Sequence, residues 1–596
     1  MHLKLGLILL ILYGVQDISA AKPPVVRTHS GLVAGKQLKV GDKLVDAFYG
    51  IPYARPPVGE LRFEKPREVQ PWKGVYNATT KTTACWQTNF SLFRNLTLTY
   101  DEATEDCLHL NVWRPSGLCD GEVSCTRRNL SVVIFIHGGA FHWGDAGLLI
   151  YDAANFVALS DVVYVTFNHR LGILGFFPPP GKGKSGNMGF YDQLSVLRWV
   201  RRNIAHFGGN PEDVTLAGQS AGATAVGLHS ISLASRGLFQ RAILQSGTPI
   251  SLIWGNAFPG LDQFQEEAAR LNCYDPEAAV RKTVSETLEC LRRLDAKIIY
   301  KAVSESKIEG QFVTPHLGDE FVPVNLLSAE NWKKIHVKEL FMGTTSEEGA
   351  FLSDLFLKGS PVLENALSDD YRKGAAVCLL VLFQIPLDKS KVIVKQYFGE
   401  PDFKHDRERV ILVFGRMLAD LIFNCPAHFF AAAATDNQVS SYMYRFDHRP
   451  SYNSWPQQYG PTHSEEIPFT IGSLPFFRDE SRFTPALTAE TIALAKSVKF
   501  PPSELSFMRD VVGVWSSFIK GYVTVKKSSA QLLITILSLF LDRNYCKVRR
   551  MRTALSLLIL IRFGSLLFLC LLIVYTLFQI SSNVTCLYVI YKGCCW

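Results

Sequence analysis

The chain has 596 residues, of which 47% are apolar and 19% charged, a balance that excludes a disordered protein and supplies material for a large core. The net charge of +8 invites a nucleic-acid reading, yet the last 75 residues alone carry nine Lys or Arg against one Asp. The rest of the chain is therefore neutral, and a basic nucleic-acid-binding face is not expected.

The N-terminus reads as a secretory signal over residues 1–21. Met1 to Lys4 is a short basic start, Leu5 to Tyr13 an apolar stretch too short to span a bilayer, and Ser19-Ala20-Ala21 a small-residue cleavage site. Secretion fits the four early N-x-S/T sequons at Asn77, Asn89, Asn95 and Asn129, which are candidate glycosylation sites. It also fits six cysteines between Cys85 and Cys290 whose spacing allows local disulfides.

From residue 25 to 521 there is no low-complexity linker and no internal repeat. The runs Val132-Val133-Ile134-Phe135-Ile136 and Val162-Val163-Tyr164-Val165-Thr166 read as central strands, and Leu194 to Val200 reads as helix. Strands alternating with helices imply an open, largely parallel sheet covered on both faces, with chemistry at the carboxyl ends of its strands. Two loops begin at such ends. His137-Gly138-Gly139-Ala140-Phe141 follows Ile136, and its small residues would let backbone N–H groups approach an oxyanion. Gly218-Gln219-Ser220-Ala221-Gly222 follows the apolar run Asp213 to Ala217 and precedes the helix-compatible Ala223 to Val226. A serine on a tight strand-to-helix turn between glycines is the nucleophile-elbow arrangement.

These segments, with Phe48 to Ala54, Pro56-Pro57-Val58-Gly59, Glu105 to Trp113, Asn168 to Gly172, Gly186-Asn187, Asp192-Gln193 and Phe207 to Pro211, resemble the type-B carboxylesterase and cholinesterase family of α/β-hydrolases. The resemblance runs from about Val25 to Tyr522, so that a signal peptide, a catalytic domain over 22–522 and an atypical tail over 523–596 are expected. It implies an α/β-hydrolase fold and a serine esterase acting through an acyl-enzyme. The triad it implies is Ser220 as nucleophile, Glu348 in Gly343-Thr344-Thr345-Ser346-Glu347-Glu348-Gly349 as acid, and His463 in His463-Ser464-Glu465-Glu466-Ile467 as base. Glu347 is the alternative acid. The order Ser, Glu, His is that of α/β-hydrolases. Gly139, Ala140 and Ala221 would supply the oxyanion hole. No metal or organic cofactor is required, and no cluster of His, Cys and carboxylates points to one.

The resemblance also implies the disulfides Cys85–Cys107 and Cys273–Cys290. Cys425 resembles the cholinesterase cysteine that bonds near the domain's end, but the matching position falls close to Val512, so a third bond is not expected. Cys119 and Cys125 either bridge locally or leave one thiol free. For substrate, choline-selective relatives hold a quaternary ammonium on a tryptophan about ten residues before the Cys107 equivalent, and this chain has Asn95-Leu96-Thr97-Leu98-Thr99 there. Trp86 adjoins Cys85 and reads as packing. Gln219 stands where the family often has glutamate. A small neutral carboxylic ester is therefore expected, closer to the general carboxylesterases. The alternatives are a cholinesterase, or a non-catalytic, membrane-tethered adhesion protein of the same fold, against which the intact triad argues.

The tail departs from the family. Phe563 to Ile580 is an apolar stretch of about 27 Å as a helix, just enough for a membrane span. The basic cluster Lys547, Arg549, Arg550 and Arg552 precedes it, the wrong side for a secreted domain with a single span. The tail is thus either a membrane anchor or an aberrant end of the chain.

Overall fold

The computed structural model describes residues 23–522 except 82, 93–95, 119–128, 178–185, 255–264, 266, 267, 276, 278–281, 305–314, 324, 327, 359, 360 and 400–405, together with Leu537 and Ser538. The expected signal peptide, the basic cluster at 547–552, the 563–580 stretch, Asn95, Cys119 and Cys125 all lie outside the described residues.

The apolar runs form the middle of a ten-stranded sheet. Its order from one edge is Lys36–Val40, Lys43–Pro52, His109–Pro115, Val163–Phe167, Leu130–Ile136, Gly209–Gln219, Arg241–Gln245, Glu339–Thr345, Ser440–Phe446 and Leu537–Ser538. The six strands from Val163–Phe167 to Ser440–Phe446 are mutually parallel. The first three strands and the two-residue last one pair antiparallel. The expected α/β-hydrolase architecture, a large mostly parallel sheet flanked by helices, is what forms.

A continuous apolar strand is what a sheet buried on both faces demands. Val132, Ile134 and Ile136 enter one core cluster, with residues of the helices Met188–Asn203, Ala221–Ile231 and Cys425–Asp436. Val133 and Phe135 point the other way, into a cluster with residues of Ala154–Ser160 and Pro502–Ile519. The strand Leu130–Ile136 is extended at its start relative to the run read from sequence, and Val163–Phe167 is shifted by one residue.

The chain passes from Leu130–Ile136 to the neighbour on one side, then returns to Gly209–Gln219 on the other. That reversal opens a crevice at the carboxyl ends of these two adjacent strands, where open α/β sheets bind ligands. The glycine-rich loop after Ile136 and the turn at Ser220 are the two walls of that crevice.

A mostly helical region over 349–423 has its own apolar cluster, including Leu352, Leu379, Ile393 and Phe414. The run Arg407–Asp436 is long and apolar enough to cross a membrane, but 72% of its apolar window is buried inside the fold, so here it is a core element. It meets the helix Gly349–Lys358 at a pair of glycines. A Cβ on Gly349 would lie 1.9 Å from the Gly415 carbonyl oxygen, and one on Gly415 would lie 2.6 Å from that of Gly349. Neither backbone can yield to a side chain. Gly415→Val is expected to lower stability by about 1–3 kcal/mol, read as a lower urea midpoint. An unchanged midpoint would mean that the two helices part freely.

Candidate active site

Ser220 sits at the junction of Gly209–Gln219 and Ala221–Ile231 with φ 56° and ψ −123°. For a serine this is a strained backbone, of the kind that persists only when its surroundings fix it. The surroundings do. A Cβ on Gly218 would come within 2.5 Å of the Gly222 backbone, and one on Gly222 within 2.1 Å of the Ile136 carbonyl oxygen. The Ser220 N–H donates to the Gln245 carbonyl at 2.8 Å. The turn is therefore clamped between two strands, and both glycines are required for close approach.

The loop after Ile136 is also built on left-handed backbone: φ is 116° at Gly139, 52° at Ala140 and 65° at Phe141. His142 and Trp143 donate their N–H groups to the Gly139 carbonyl. His137 is buried, and its Nδ1 donates to the Gly138 carbonyl at 2.8 Å while its ring stacks on His169. Burial holds the His137 pKa down at about 4, so this support is neutral. Among the described residues no protein acceptor is recorded for the N–H groups of Gly139, Ala140 or Ala221. Ala221 opens its helix, where N–H groups are unpaired by construction.

Glu348 follows the end of the strand Glu339–Thr345, and His463 lies in the turn before Ile467–Thr470. A parallel bridge between Glu347 and Thr462 brings the two segments side by side. The Glu348 Oε2 accepts from His463 Nδ1 at 2.5 Å, with both side chains almost completely buried. Oε1 accepts from the Thr345 N–H at 2.7 Å and the Ser246 hydroxyl at 2.5 Å. Glu347 points elsewhere and pairs with Arg416 from the helix Arg407–Ala419. The structure thus brings His463 to Glu348 and not to the alternative acid. Ser220 Oγ makes no hydrogen bond to His463; the Gln219 carboxamide does, at 3.1 Å from Nε2.

Several supporting residues escape sequence reasoning. Phe423 and Phe351 stack on His463 with ring centroids 4.6 and 5.2 Å away. Phe423 belongs to a π-helical turn, Asp420–Asn424, inside the long helix. The signal for that turn is Pro426: proline lacks the N–H that would bond Ile422 four residues back, and the Ile422 carbonyl accepts from Ser251 Oγ at 2.7 Å instead. Ser246, in Gln245-Ser246-Gly247 at the next strand end, has φ 55°, another strained residue at a strand terminus.

The disulfides Cys85–Cys107 and Cys273–Cys290 are present. Cys378 is a buried free thiol. The expectation that Cys425 lacks a partner is corrected, because it is disulfide-bonded. Position 512, a valine packed in the core, is the wrong place to look for that partner. Trp86 stacks on Tyr300 with centroids 6.2 Å apart and sits beside Cys85, so packing accounts for it. Asn77, Asn89 and Asn129 are exposed.

Residues 22–530 match the model of the Carboxylesterase family. The chain is 32% identical to acetylcholinesterase-1 of Trittame loki, over 78% of this chain and 83% of that one. It is 31% identical to the cocaine esterase of Homo sapiens over 87% and 86%, and 31% identical to the acylcarnitine hydrolase of Mus musculus over 78% and 81%. Such even identities do not rank choline esters against other esters.

Two further carboxyls follow the histidine. Burial pushes Glu465 and Glu466 up to about 8, and the Glu348 carboxylate adds to the effect at Glu466. Glu466 is fully buried, and its Oε2 has no partner among the described residues. A carboxyl raised in the folded state binds a proton that the unfolded chain has released, so its contribution to stability falls as pH rises from about 4.5 to about 8. Glu466→Gln removes this titration. Its stability relative to the parent is expected to rise by on the order of a few kcal/mol between the two ends of that window. Urea midpoints at each end check this, and parallel midpoints for the two proteins would show that Glu466 ionises freely.

Proposed function

The chain belongs to the carboxylesterase family, a family of carboxylic ester hydrolases, and on that premise we propose that it cleaves small neutral carboxylic esters through an acyl-enzyme on Ser220. The observation that carries this reading is the buried contact between His463 Nδ1 and Glu348, beside the strained Ser220 whose neighbour Gln219 reaches the same ring.

In the reaction, His463 takes the proton from the Ser220 hydroxyl as it attacks the ester carbonyl. It returns that proton to the leaving alcohol, and Glu348 keeps the imidazole in the right tautomer and stabilises its charged form. The N–H groups of Gly139, Ala140 and Ala221 hold the oxyanion, each donor worth on the order of 10²–10³ in rate. Water then attacks the acyl-enzyme by the same route in reverse, and the enzyme is restored.

The preference for a neutral ester rests on the residues around the site. Gln219 brings no charge, and the strand Leu96–Leu98 carries no aromatic ring for a quaternary ammonium. The paired cysteines support an oxidising, extracellular setting. In that setting the exposed Asn77, Asn89 and Asn129 are available as glycan acceptors, and residues 563–580 would serve as the anchor if the chain is tethered.

Ser220→Ala is expected to cut turnover of a chromogenic short-chain ester by about 10⁶; activity within tenfold of the parent would remove Ser220 as nucleophile. Glu348→Gln is expected to cost far more activity than Glu347→Gln. The reverse ranking in the same assay would exchange the two glutamates. With acetylthiocholine beside an uncharged thioester of the same acyl group, the choline ester is expected to be the poorer substrate by kcat/KM, and a clear preference for it would overturn the neutral-ester reading.

A further inference from the structure

Gln219 is buried between the two walls of the site. Its Oε1 lies against Gly138, where a Cβ would come within 2.4 Å of it. Its Nε2 donates to Ser464 Oγ at 2.7 Å and faces His463 Nε2 at 3.1 Å. The direction of the last contact follows from the other side of the ring. His463 Nδ1 carries the proton given to Glu348, so neutral His463 has its lone pair at Nε2 and accepts there. Turning the amide over would set the Gln219 oxygen against that lone pair. The lone pair that must take the Ser220 proton is therefore occupied by an amide donor, and Ser220 is not bonded to it.

Ser464 supplies the second half of the arrangement. It has φ 73°, a left-handed conformation that glycine adopts without strain and serine does not. A strained serine is retained next to the base, and its hydroxyl accepts the same amide. We infer that Gln219 and Ser464 form a latch on the base: the carboxamide holds His463 Nε2 in the resting enzyme, and its release sets the rate of acylation. The inference rests on the Ser220–Glu348–His463 reading. Once the acyl group is in place the amide has been displaced, so deacylation does not feel the latch. Gln219 and Ser464 are in this sense positioning residues, acting on the reaction through His463.

The test is single-turnover acylation by a chromogenic short-chain ester, with deacylation followed separately, in full-length parent, Ser464→Gly, Gln219→Ala and the double variant. Ser464→Gly also relieves backbone strain, so it carries the test even if a change at the buried Gln219 harms folding. Each single change is expected to speed acylation about three- to tenfold, the population shift from losing one net hydrogen bond. Deacylation is expected to stay at the parent rate, and the double variant to be no faster than Gln219→Ala, since both changes open one latch. Slower or unchanged acylation in Ser464→Gly, or effects that multiply, would overturn the latch. Ser220→Ala in the same assay separates the two ideas: if it still forms acyl-enzyme, the nucleophile assignment fails and the latch with it. If it does not, the variants judge the latch alone.

Discussion

A carboxylate buried out of reach of water has to be answered by donors, and Glu348 is where this fold meets that demand. Its two oxygens receive a backbone N–H from its own turn, the Ser246 hydroxyl and the His463 ring. Those partners come from three separate places in the chain, the ends of the strands Glu339–Thr345 and Arg241–Gln245 and the turn before Ile467. Satisfying the carboxylate therefore fixes three carboxyl-end loops against one another. Phe351 and Phe423 stack on the imidazole and Glu348 takes its Nδ1, so Nε2 is the edge that faces Gln219. Everything that follows chemically depends on what occupies that edge.

The neighbouring acid shows how the chain keeps the pair distinct. Glu347 and Glu348 are adjacent in sequence, and two like charges turned the same way would repel. Glu347 is buried and turned away from His463 to Arg416, which follows Gly415 where the helices cross at Gly349 and Gly415 with no side chain between them. The bridge from Glu347 to Thr462 then sets the histidine segment next to the acid segment. The pair is buried at its Glu347 end and open to water at its Arg416 end, so its contribution to stability is reduced by screening. It matters through geometry, since it fixes which glutamate faces His463.

The fold was legible because the central strands are continuous apolar runs, and runs such as Val132 to Ile136 have few alternatives once they are buried on both faces. The elbow was legible for a related reason. Gly218, Ser220 and Gly222 answer a steric problem with few solutions, and the solution leaves a motif. Phe351, Phe423, Ser246 and Arg416 were not legible, because their roles come from approach in space between segments distant in sequence. Cys425 was misread on the same ground. Its partner was sought at a position fixed by analogy with relatives, and in this chain that position is a core valine. Ser464 and the π-helical turn at Asp420–Asn424 lie between the two cases, since serine at a glycine-like φ and proline inside a helix are both local anomalies, but neither says by itself what it serves.

The charge around the base is lower than the count of acids suggests. Three glutamates, Glu348, Glu465 and Glu466, lie within or beside the histidine turn, and a carboxylate at position 219 would make a fourth. Burial favours the neutral forms of Glu465 and Glu466, and Glu348 is the acid that accepts from the His463 ring. On the proposed mechanism Glu348 answers the imidazolium, and the neutral forms of Glu465 and Glu466 add no attraction for a cationic substrate. A glutamine at position 219 completes that balance: it supplies hydrogen bonds where a glutamate would supply charge. The side chain that brings no charge for a quaternary ammonium is also the one whose amide reaches the base, so the proposed selectivity and the proposed latch both rest on Gln219.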